Sequence, residues 1–194
     1  MRAAVVALAG RQHDFSGKRL LVMGGSLGAH ALNVHVCRHL DALRAAGIEV
    51  RHQTGVRDEA VTREAYAAAG YDPACVSAFI DDMASAYAWA DLVLCRAGAT
   101  TVAELCAAGL PSVLVPFPYA VHDHQTRNAQ ALVAEGAALM LPEGRMESDG
   151  LMAQVTDLLQ DTGRLRTMAA AASGCARVRA AELVAAELET VCAR

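Results

Sequence analysis

The chain has 194 residues, of which 54% are apolar, 20% charged and 4% aromatic, and its net charge is −4 at pH 7. This length favours one domain or two small ones, and the apolar fraction excludes an intrinsically disordered chain. The acidic balance argues against a general nucleic-acid-binding protein, and no apolar run reaches the roughly 18–20 residues that span a bilayer. The six cysteines are scattered without a CxxC pair, which predicts reduced thiols in a cytoplasmic protein and no zinc site.

Apolar runs that end in glycine or polar turns alternate along the chain with segments of helical spacing. Strands are predicted at 19–23, 48–53, 76–80, 91–95, 112–115 and 137–141. Helices are predicted at 29–46, 59–69, 83–89, 100–108 and 125–135, and from 146 onward with a break at 161–163. Apolar strands separated by helices predict an α/β fold, a Rossmann-like and mostly parallel sheet with helices on both faces.

The polar stretch 10–18 separates the first ten residues from the predicted sheet. We therefore assign residues 1–18 to a linker and lead-in, and residues 19–194 to the domain itself. The last helical stretch, 176–191, carries an apolar stripe that would face this core or a neighbouring domain.

Ligands of parallel sheets bind at the carboxyl ends of the strands, where a glycine-rich loop, GGSLGA at 24–29, follows the first strand. Glycines let the backbone approach a phosphate, the next helix directs its free amides at the anion, and Ser26 adds a hydroxyl. The loop is neither a P-loop nor GxGxxG. A tight strand-to-helix turn without a ligand is an equal alternative.

The adjacent Asp81 and Asp82 suggest either a metal pair or a helix cap, and we favour the cap because no DxD motif occurs. We predict no metal there. The segment His122 to Gln125 at a later helix start offers partners for sugar hydroxyls, a weak His-x-His metal motif, or a solvated cap.

The segment RAGATTVAE at 96–104 again opens a helix with small residues and hydroxyls after a strand. Thr100 and Thr101 suit an anion or hydroxyl contact, and Glu104 can accept two hydrogen bonds from a ribose diol. The alternative is a capping box, with Thr101 as N-cap and Glu104 three residues later. Both can hold together.

As an ordered set, these loops resemble the C-terminal domain of the MurG glycosyltransferases, which transfer N-acetylglucosamine from UDP to lipid I in peptidoglycan synthesis. The resemblance is dense from about residue 20 to 142 and rests on LVMGGSLGA (21–29), FIDDM (79–83), AYAWAD (86–91), CRAGATTVAE (95–104), GLP (109–111), VPF (115–117) and DHQ (123–125). It implies the C-terminal half of a GT-B fold. The N-terminal half, with the acceptor site and the presumed general base, has no counterpart here, so we assign no catalytic residue.

The resemblance also implies which residues bind UDP-N-acetylglucosamine: Arg2, Ser26, Ile80, Ala99, Thr100, Thr101, Val102, Ala103, Glu104 and Gln125. Ser26 would bind the diphosphate, the Ile80 backbone the uracil edge, and Glu104 the ribose hydroxyls. The run 99–103 would line the diphosphate and sugar through backbone amides, Gln125 would bind the sugar hydroxyls, and Arg2 would lie near the nucleotide sugar. Helix N-termini and Ser26 would stabilise the departing UDP in an inverting displacement that uses no metal or cofactor.

The first hypothesis is therefore a donor-binding domain, inactive alone, of an enzyme that is peripheral on the cytoplasmic face of the inner membrane and meets lipid I through its other domain. The alternative is a soluble nucleotide-sugar-binding subunit of a split glycosyltransferase, with a partner polypeptide supplying the N-terminal half. A NAD-dependent oxidoreductase is disfavoured because GxGxxG is missing.

Overall fold

The computed structural model describes residues 1–25, 28–178 and the single residue 185, and these contain a six-stranded sheet. Its strands are β1 (Arg19–Met23), β2 (Glu49–Gln53), β3 (Val76–Ser77), β4 (Leu92–Cys95), β5 (Ser112–Leu114) and β6 (Ala138–Met140). Every neighbouring pair is parallel, and the order is β3-β2-β1-β4-β5-β6. This confirms the predicted α/β fold with a parallel sheet.

Helices cover both faces of the sheet. Over the same described residues they are α1 (Ala3–Val6), α2 (His30–Cys37), α3 (Leu40–Ala45), α4 (Glu59–Ala68), α5 (Met83–Trp89), α6 (Ala99–Ala108), α7 (His124–Ala134), α8 (Leu151–Gln160) and α9 (Thr162–Gly174). Leu20 and Val22 of β1 pack in the core under α2, α3, α4 and α8, whereas Leu21 and Met23 pack under α1, α5, α6 and α7. Because alternate side chains enter two cores, the strand reads as a continuous apolar run.

Two predicted elements differ most from the structure. The helix predicted at 29–46 is divided into α2 and α3, because the amide of His39 donates to the carbonyl of Val36 instead of that of His35. The strand predicted at 76–80 pairs only through Ser77, after which the Ala78 carbonyl accepts hydrogen bonds from β2 and the loop that follows it.

The predicted lead-in, residues 1–18, contributes Val5 and Phe15 to the two cores, and α1 packs on α5 and α6. Its boundary at residue 18 stays a prediction. The stripe predicted for 176–191 lies almost entirely outside the described residues. In the part that is described, no helix combines the length and apolarity needed to cross a bilayer.

The chain reverses its direction of travel across the sheet between β1 and β4. From β1 the chain proceeds through β2 to β3 on one side, and from β4 through β5 to β6 on the other. The loops that follow β1 and β4 therefore diverge and leave a crevice at their carboxyl ends, which is where ligands of such sheets bind.

Candidate functional site

A cavity of about 330 Å³ lies in this crevice, and we call it the switch-point cavity. Met23, Gln53 and Cys95, the last residues of β1, β2 and β4, line it. Five of the ten predicted site residues also line it: Arg2, Ile80, Thr100, Thr101 and Glu104. The fold thus brings together positions that are up to a hundred residues apart in sequence.

Glu104 is the buried acidic group of this cavity, with 2% of its surface exposed. Its carboxylate accepts hydrogen bonds from the Tyr87 hydroxyl at 3.1 Å and from Nη1 of Arg2 at 3.1 Å. The Arg2 side chain is 57% exposed. Burial raises the pKa of Tyr87 well above its usual value, and Cys95 and Glu104 add to this shift, so the phenol stays a neutral donor. The carboxylate is therefore held by the buried Tyr87 on one side and covered by the exposed Arg2 side chain on the other.

The capping box suggested for Thr101 and Glu104 is wrong. The N-cap of α6 is Gly98, whose φ and ψ are −64° and 146°, and α6 begins at Ala99. Glu104 therefore lies in the second turn, too far along the helix to reach back to its free amides. Its carboxylate reaches Tyr87 of α5 instead.

The predicted run from Ala99 to Ala103 is divided by α6 between two surfaces. Thr100 and Thr101 line the switch-point cavity, whereas Ala99, Val102 and Ala103 line a separate cavity of about 810 Å³ between α6 and α7; Thr100 touches both. Consecutive side chains rotate by about 100° around a helix, so five in a row cannot face one ligand. Only the amides of Ala99, Thr100 and Thr101 lack a carbonyl partner within the helix, because the Val102 amide already donates to the Gly98 carbonyl at 2.9 Å.

The glycine-rich loop is tight where it is described. The amide of Gly24 donates to the carbonyl of Gln53 at 3.0 Å, and the amide of Gly28 to that of Gly25 at 3.0 Å. A Cβ on Gly24 would lie 2.6 Å from the amide nitrogen of Ala29, so only glycine fits there. Ser26 lies outside the described residues, and its phosphate contact stays a prediction.

Gln53 fixes this loop, and the sequence analysis did not identify it. Its Oε1 accepts from the Gly25 amide at 3.1 Å, and its Nε2 donates to the carbonyls of Gly25 at 3.1 Å and Ala78 at 2.8 Å. A single buried amide thus joins the glycine-rich loop to the segment that leads into Ile80. The sequence feature that could have identified Gln53 is a long polar side chain at the carboxyl end of a predicted strand.

Ile80 lies on the neighbouring wall of the cavity. Among the described residues, neither its amide nor its carbonyl has a hydrogen-bond partner. Phe79 beside it is 53% exposed and also lines the cavity. Asp82 caps α5, because its Oδ1 accepts from the Ser85 amide at 3.0 Å, and this confirms the capping interpretation for Asp82.

Gln125 does not line the switch-point cavity. Its Oε1 accepts from the Phe117 amide at 3.0 Å, in the loop between β5 and α7. Arg96, which does line the cavity, donates to the Val115 carbonyl at 3.1 Å and pairs with Glu143. Arg96 therefore connects the cavity to the loop that holds Gln125.

Behind the glycine-rich loop lies a second polar cluster, made of Asn33, His52, Asp58 and Tyr66, which we call the buried network. The Asn33 amide donates to Oδ2 of Asp58 at 2.8 Å and to the Thr54 carbonyl at 3.0 Å. Its Oδ1 lies 3.0 Å from Nε2 of His52, and Nδ1 of His52 lies 3.0 Å from the Tyr66 hydroxyl. Since Asn33 uses both amide hydrogens elsewhere, His52 carries its proton on Nε2 and accepts from Tyr66.

The pKa values agree with a neutral imidazole beside a charged carboxylate. Burial lowers the pKa of His52 from 6.5 to about 3. Burial alone would raise the pKa of Asp58, but hydrogen bonds from Asn33 and His30 lower it below its usual value. The network also supports Gly28, where a Cβ would lie 2.6 Å from the Thr54 carbonyl oxygen.

Comparison with known proteins places the chain in one family. The model of the glycosyltransferase family 28 C-terminal domain matches residues 19–184. A UDP-N-acetylglucosamine–N-acetylmuramyl-(pentapeptide) pyrophosphoryl-undecaprenol N-acetylglucosamine transferase of Nitratidesulfovibrio vulgaris is 52% identical over 95% of this chain and 51% of its own length. The protein of that name from Chromohalobacter salexigens is 53% identical over 87% of this chain and 46% of its own length. The chain thus spans about half the length of the curated relatives it matches.

Solved structures give the same result. The crystal structure of Acinetobacter baumannii MurG is 37% identical, has a TM-score of 0.79, and is matched over 92% of this chain and 51% of that one. The calicheamicin glycosyltransferase CalG4 is 25% identical with a TM-score of 0.61, over 91% of this chain and 45% of that one. These likenesses confirm the predicted resemblance and the fold class, a Rossmann-like domain of the GT-B type.

Proposed function

Because the chain belongs to the family of glycosyltransferase family 28 C-terminal domains, we propose that it is the donor-binding domain of a glycosyltransferase and binds UDP-N-acetylglucosamine in the switch-point cavity. One observation carries the proposal: the buried Glu104 carboxylate faces the crevice between β1 and β4, beside the N-terminus of α6. A nucleotide needs a hydroxyl acceptor and an anion site close together, and this crevice offers both.

The nucleoside end of the donor lies against Glu104 and Ile80. A carboxylate has about four acceptor positions, so Glu104 can keep its bond from Tyr87 and still accept from the ribose hydroxyls. Arg2 is exposed enough to move aside or to contact the ligand itself. The backbone of Ile80, which has no partner in the described part of the chain, suits the edge of uracil, and the exposed ring of Phe79 offers the base an apolar surface.

The diphosphate end lies between the glycine-rich loop and the start of α6. Free amides at a helix N-terminus carry partial positive charge, and Thr100, Thr101 and Ser26 add hydroxyl donors. These groups would stabilise the negative charge that grows on UDP as its bond to the sugar breaks. The displacement inverts the anomeric centre and needs no metal at this site.

The sugar points out of the cavity towards a second domain. The volume of about 330 Å³ is at the small end of the roughly 300–1,000 Å³ of ligand pockets, enough for part of a nucleotide sugar. The predicted site residues that remain for the sugar are Gln125 and, on the outer side of α6, Ala99, Val102 and Ala103. We propose that the acceptor is lipid I, held by the other domain together with the general base at the cytoplasmic face of the inner membrane.

On this proposal the chain alone binds the donor and does not transfer it. The acceptor-binding domain can be joined to it or supplied as a separate partner polypeptide, the split arrangement. Transfer to lipid I restored by adding a separately expressed acceptor domain would support the split arrangement. Transfer by this chain alone would contradict its inactivity.

Calorimetric titration of the chain with UDP-N-acetylglucosamine, UDP and NAD tests donor binding. We expect saturable binding of UDP-N-acetylglucosamine and UDP and none of NAD. Glu104→Ala should weaken binding about 10- to 100-fold, because hydrogen bonds to a charged group contribute about 1.5–3 kcal/mol. The matched control is Glu64→Ala, since Glu64 is an exposed glutamate on α4 away from the cavity. Unchanged affinity in a folded Glu104→Ala chain would contradict the proposed site.

A further inference from the structure

Apart from the donor site, we propose that His35, His39 and Glu147 form a binding site for a divalent transition-metal ion, with Zn²⁺ as the expected occupant. One ring nitrogen of each histidine and one carboxylate oxygen of Glu147 all lie within 4.8 Å of one another. Nδ1 of His35 is 3.4 Å from Oε2 of Glu147. The sequence alone did not indicate this cluster, because packing brings Glu147 to the histidines from more than a hundred residues away.

The hydrogen bond that His39 makes leaves its other ring nitrogen available to a metal ion. It lies in the turn between α2 and α3, where the His35 carbonyl has lost its helical amide partner. Nδ1 of His39 lies 2.9 Å from that carbonyl oxygen. A carbonyl only accepts, so Nδ1 carries the hydrogen and Nε2 keeps a free lone pair. Metal-binding histidines characteristically donate their second N–H to a carbonyl or carboxylate in this way, which fixes the ring.

His35 is a buried side chain that lacks a partner. It is 5% exposed, and its Nε2 has no hydrogen-bond partner among the described residues. Burial lowers its pKa, and the neighbouring His39 and Arg38 lower it further, against an opposing effect of Glu147. A bound ion would engage Nδ1, the nitrogen that faces Glu147, and would leave the proton on Nε2, which still lacks a partner among the described residues.

The surroundings are compatible with a cation. His35 lies in the last turn of α2, where the helix dipole favours positive charge. Arg38 on the same surface opposes it, and Glu143 nearby is already paired with Arg96. The Glu147 side chain is 74% exposed and free to adjust.

The ligand set identifies the class of metal. Two imidazoles and one carboxylate suit Zn²⁺ and its neighbours, whereas Ca²⁺ and Mg²⁺ prefer oxygen ligands alone. Zn–N and Zn–O bonds of about 2.0–2.2 Å put neighbouring ligand atoms of a tetrahedral site about 3.3 Å apart. The distance between His35 and Glu147 already matches, and the fourth position is left to water. The ion would connect the end of α2 to the segment that follows β6.

The test uses the full chain, stripped of metal and titrated with Zn²⁺ against a chromophoric chelator near neutral pH. We expect one ion per chain and a higher melting temperature when Zn²⁺ is bound. Glu147→Gln and His39→Ala should each weaken binding at least about tenfold. Since Glu147 is exposed, its replacement tests the site without risk to the fold. Glu135→Gln is the matched control for Glu147→Gln, because Glu135 is an exposed glutamate at the end of α7, on the other face of the sheet, and its replacement should leave the affinity unchanged.

Substitution of Co²⁺ distinguishes this site from the cysteines. Imidazole and carboxylate ligands give d–d absorption without the intense thiolate-to-metal charge-transfer band that cysteine ligands produce. A charge-transfer band, wild-type affinity in both Glu147→Gln and His39→Ala, or the absence of stoichiometric binding would each overturn the proposal.

Discussion

The switch-point cavity and the buried network are both polar clusters beside loops that follow parallel strands, but they are built in opposite ways. In the buried network, His52 and Tyr66 are fully buried and each polar side chain finds its partner inside the protein. In the cavity, Glu104 shares its carboxylate with the exposed Arg2, and the backbone groups of Ile80 have no partner among the described residues. A closed cluster fixes the shape of a loop, whereas an open one keeps binding capacity for a ligand.

The largest loss of stability should follow from a substitution within the buried network. Asn33→Ala removes the partner of both Asp58 and His52, so we expect the free energy of unfolding to fall by about 3 kcal/mol. Thermal or urea unfolding measures this. Asn128→Ala, which removes a single half-buried bond to the Ala97 carbonyl, should cost only about 1 kcal/mol. Equal losses in the two variants would mean that the network adds nothing beyond its separate bonds.

The buried network should also make the free energy of unfolding depend on pH. Burial lowers the pKa of His52 from its usual 6.5 to about 3 in the folded protein. Below pH 6.5 the unfolded chain therefore binds a proton at His52 that the folded chain does not bind. Stability is then lost as the pH falls, by up to about 1.4 kcal/mol per pH unit. Urea unfolding between about pH 6.5 and 4.5 measures the slope. His52→Gln should flatten it, and an identical slope in that variant would mean that His52 is not the group responsible.

A substitution at Gln53 tests whether donor binding in the switch-point cavity depends on the side chain that fixes the glycine-rich loop. Gln53→Ala frees the glycine-rich loop from the segment before Ile80, so we expect UDP-N-acetylglucosamine to bind about tenfold more weakly. Calorimetry well below the melting temperature measures this. Gln154→Ala is the control, because its side chain donates to the Asp149 carbonyl far from the cavity. Unchanged donor affinity in folded Gln53→Ala would show that the loop holds its shape without this amide.

The smallest effect is expected for Arg2. Only the Arg2 half of its ion pair with Glu104 is exposed, and Glu104 keeps its hydrogen bond from Tyr87, so Arg2→Ala should lower the free energy of unfolding by only about 1 kcal/mol. We expect the dissociation constant for UDP-N-acetylglucosamine to rise about threefold at low salt and less at high salt, because exposed charges are screened. Tighter binding in this variant would instead mean that Arg2 competes with the ribose for Glu104.

Sequence reasoning identified what is local. The parallel sheet follows from uninterrupted apolar strands, and the loops of the site follow from glycines and hydroxyls placed directly after them. It missed Gln53 and Tyr87, whose partners come from other strands and helices. The capping box predicted from Thr101 and Glu104 was also wrong. Because α5 packs against α6, the Glu104 carboxylate accepts a hydrogen bond from Tyr87 instead.

The position of β1 between β2 and β4 also bears on how the protein folds. The pairing of Leu20 with Leu92 closes a long loop of chain, which makes it a slow, entropically unfavourable step. The walls of the switch-point cavity meet only after that step. A nucleotide that binds only after the walls have met cannot stabilise the transition state of this closure. It should therefore leave the refolding rate unchanged and slow the unfolding rate.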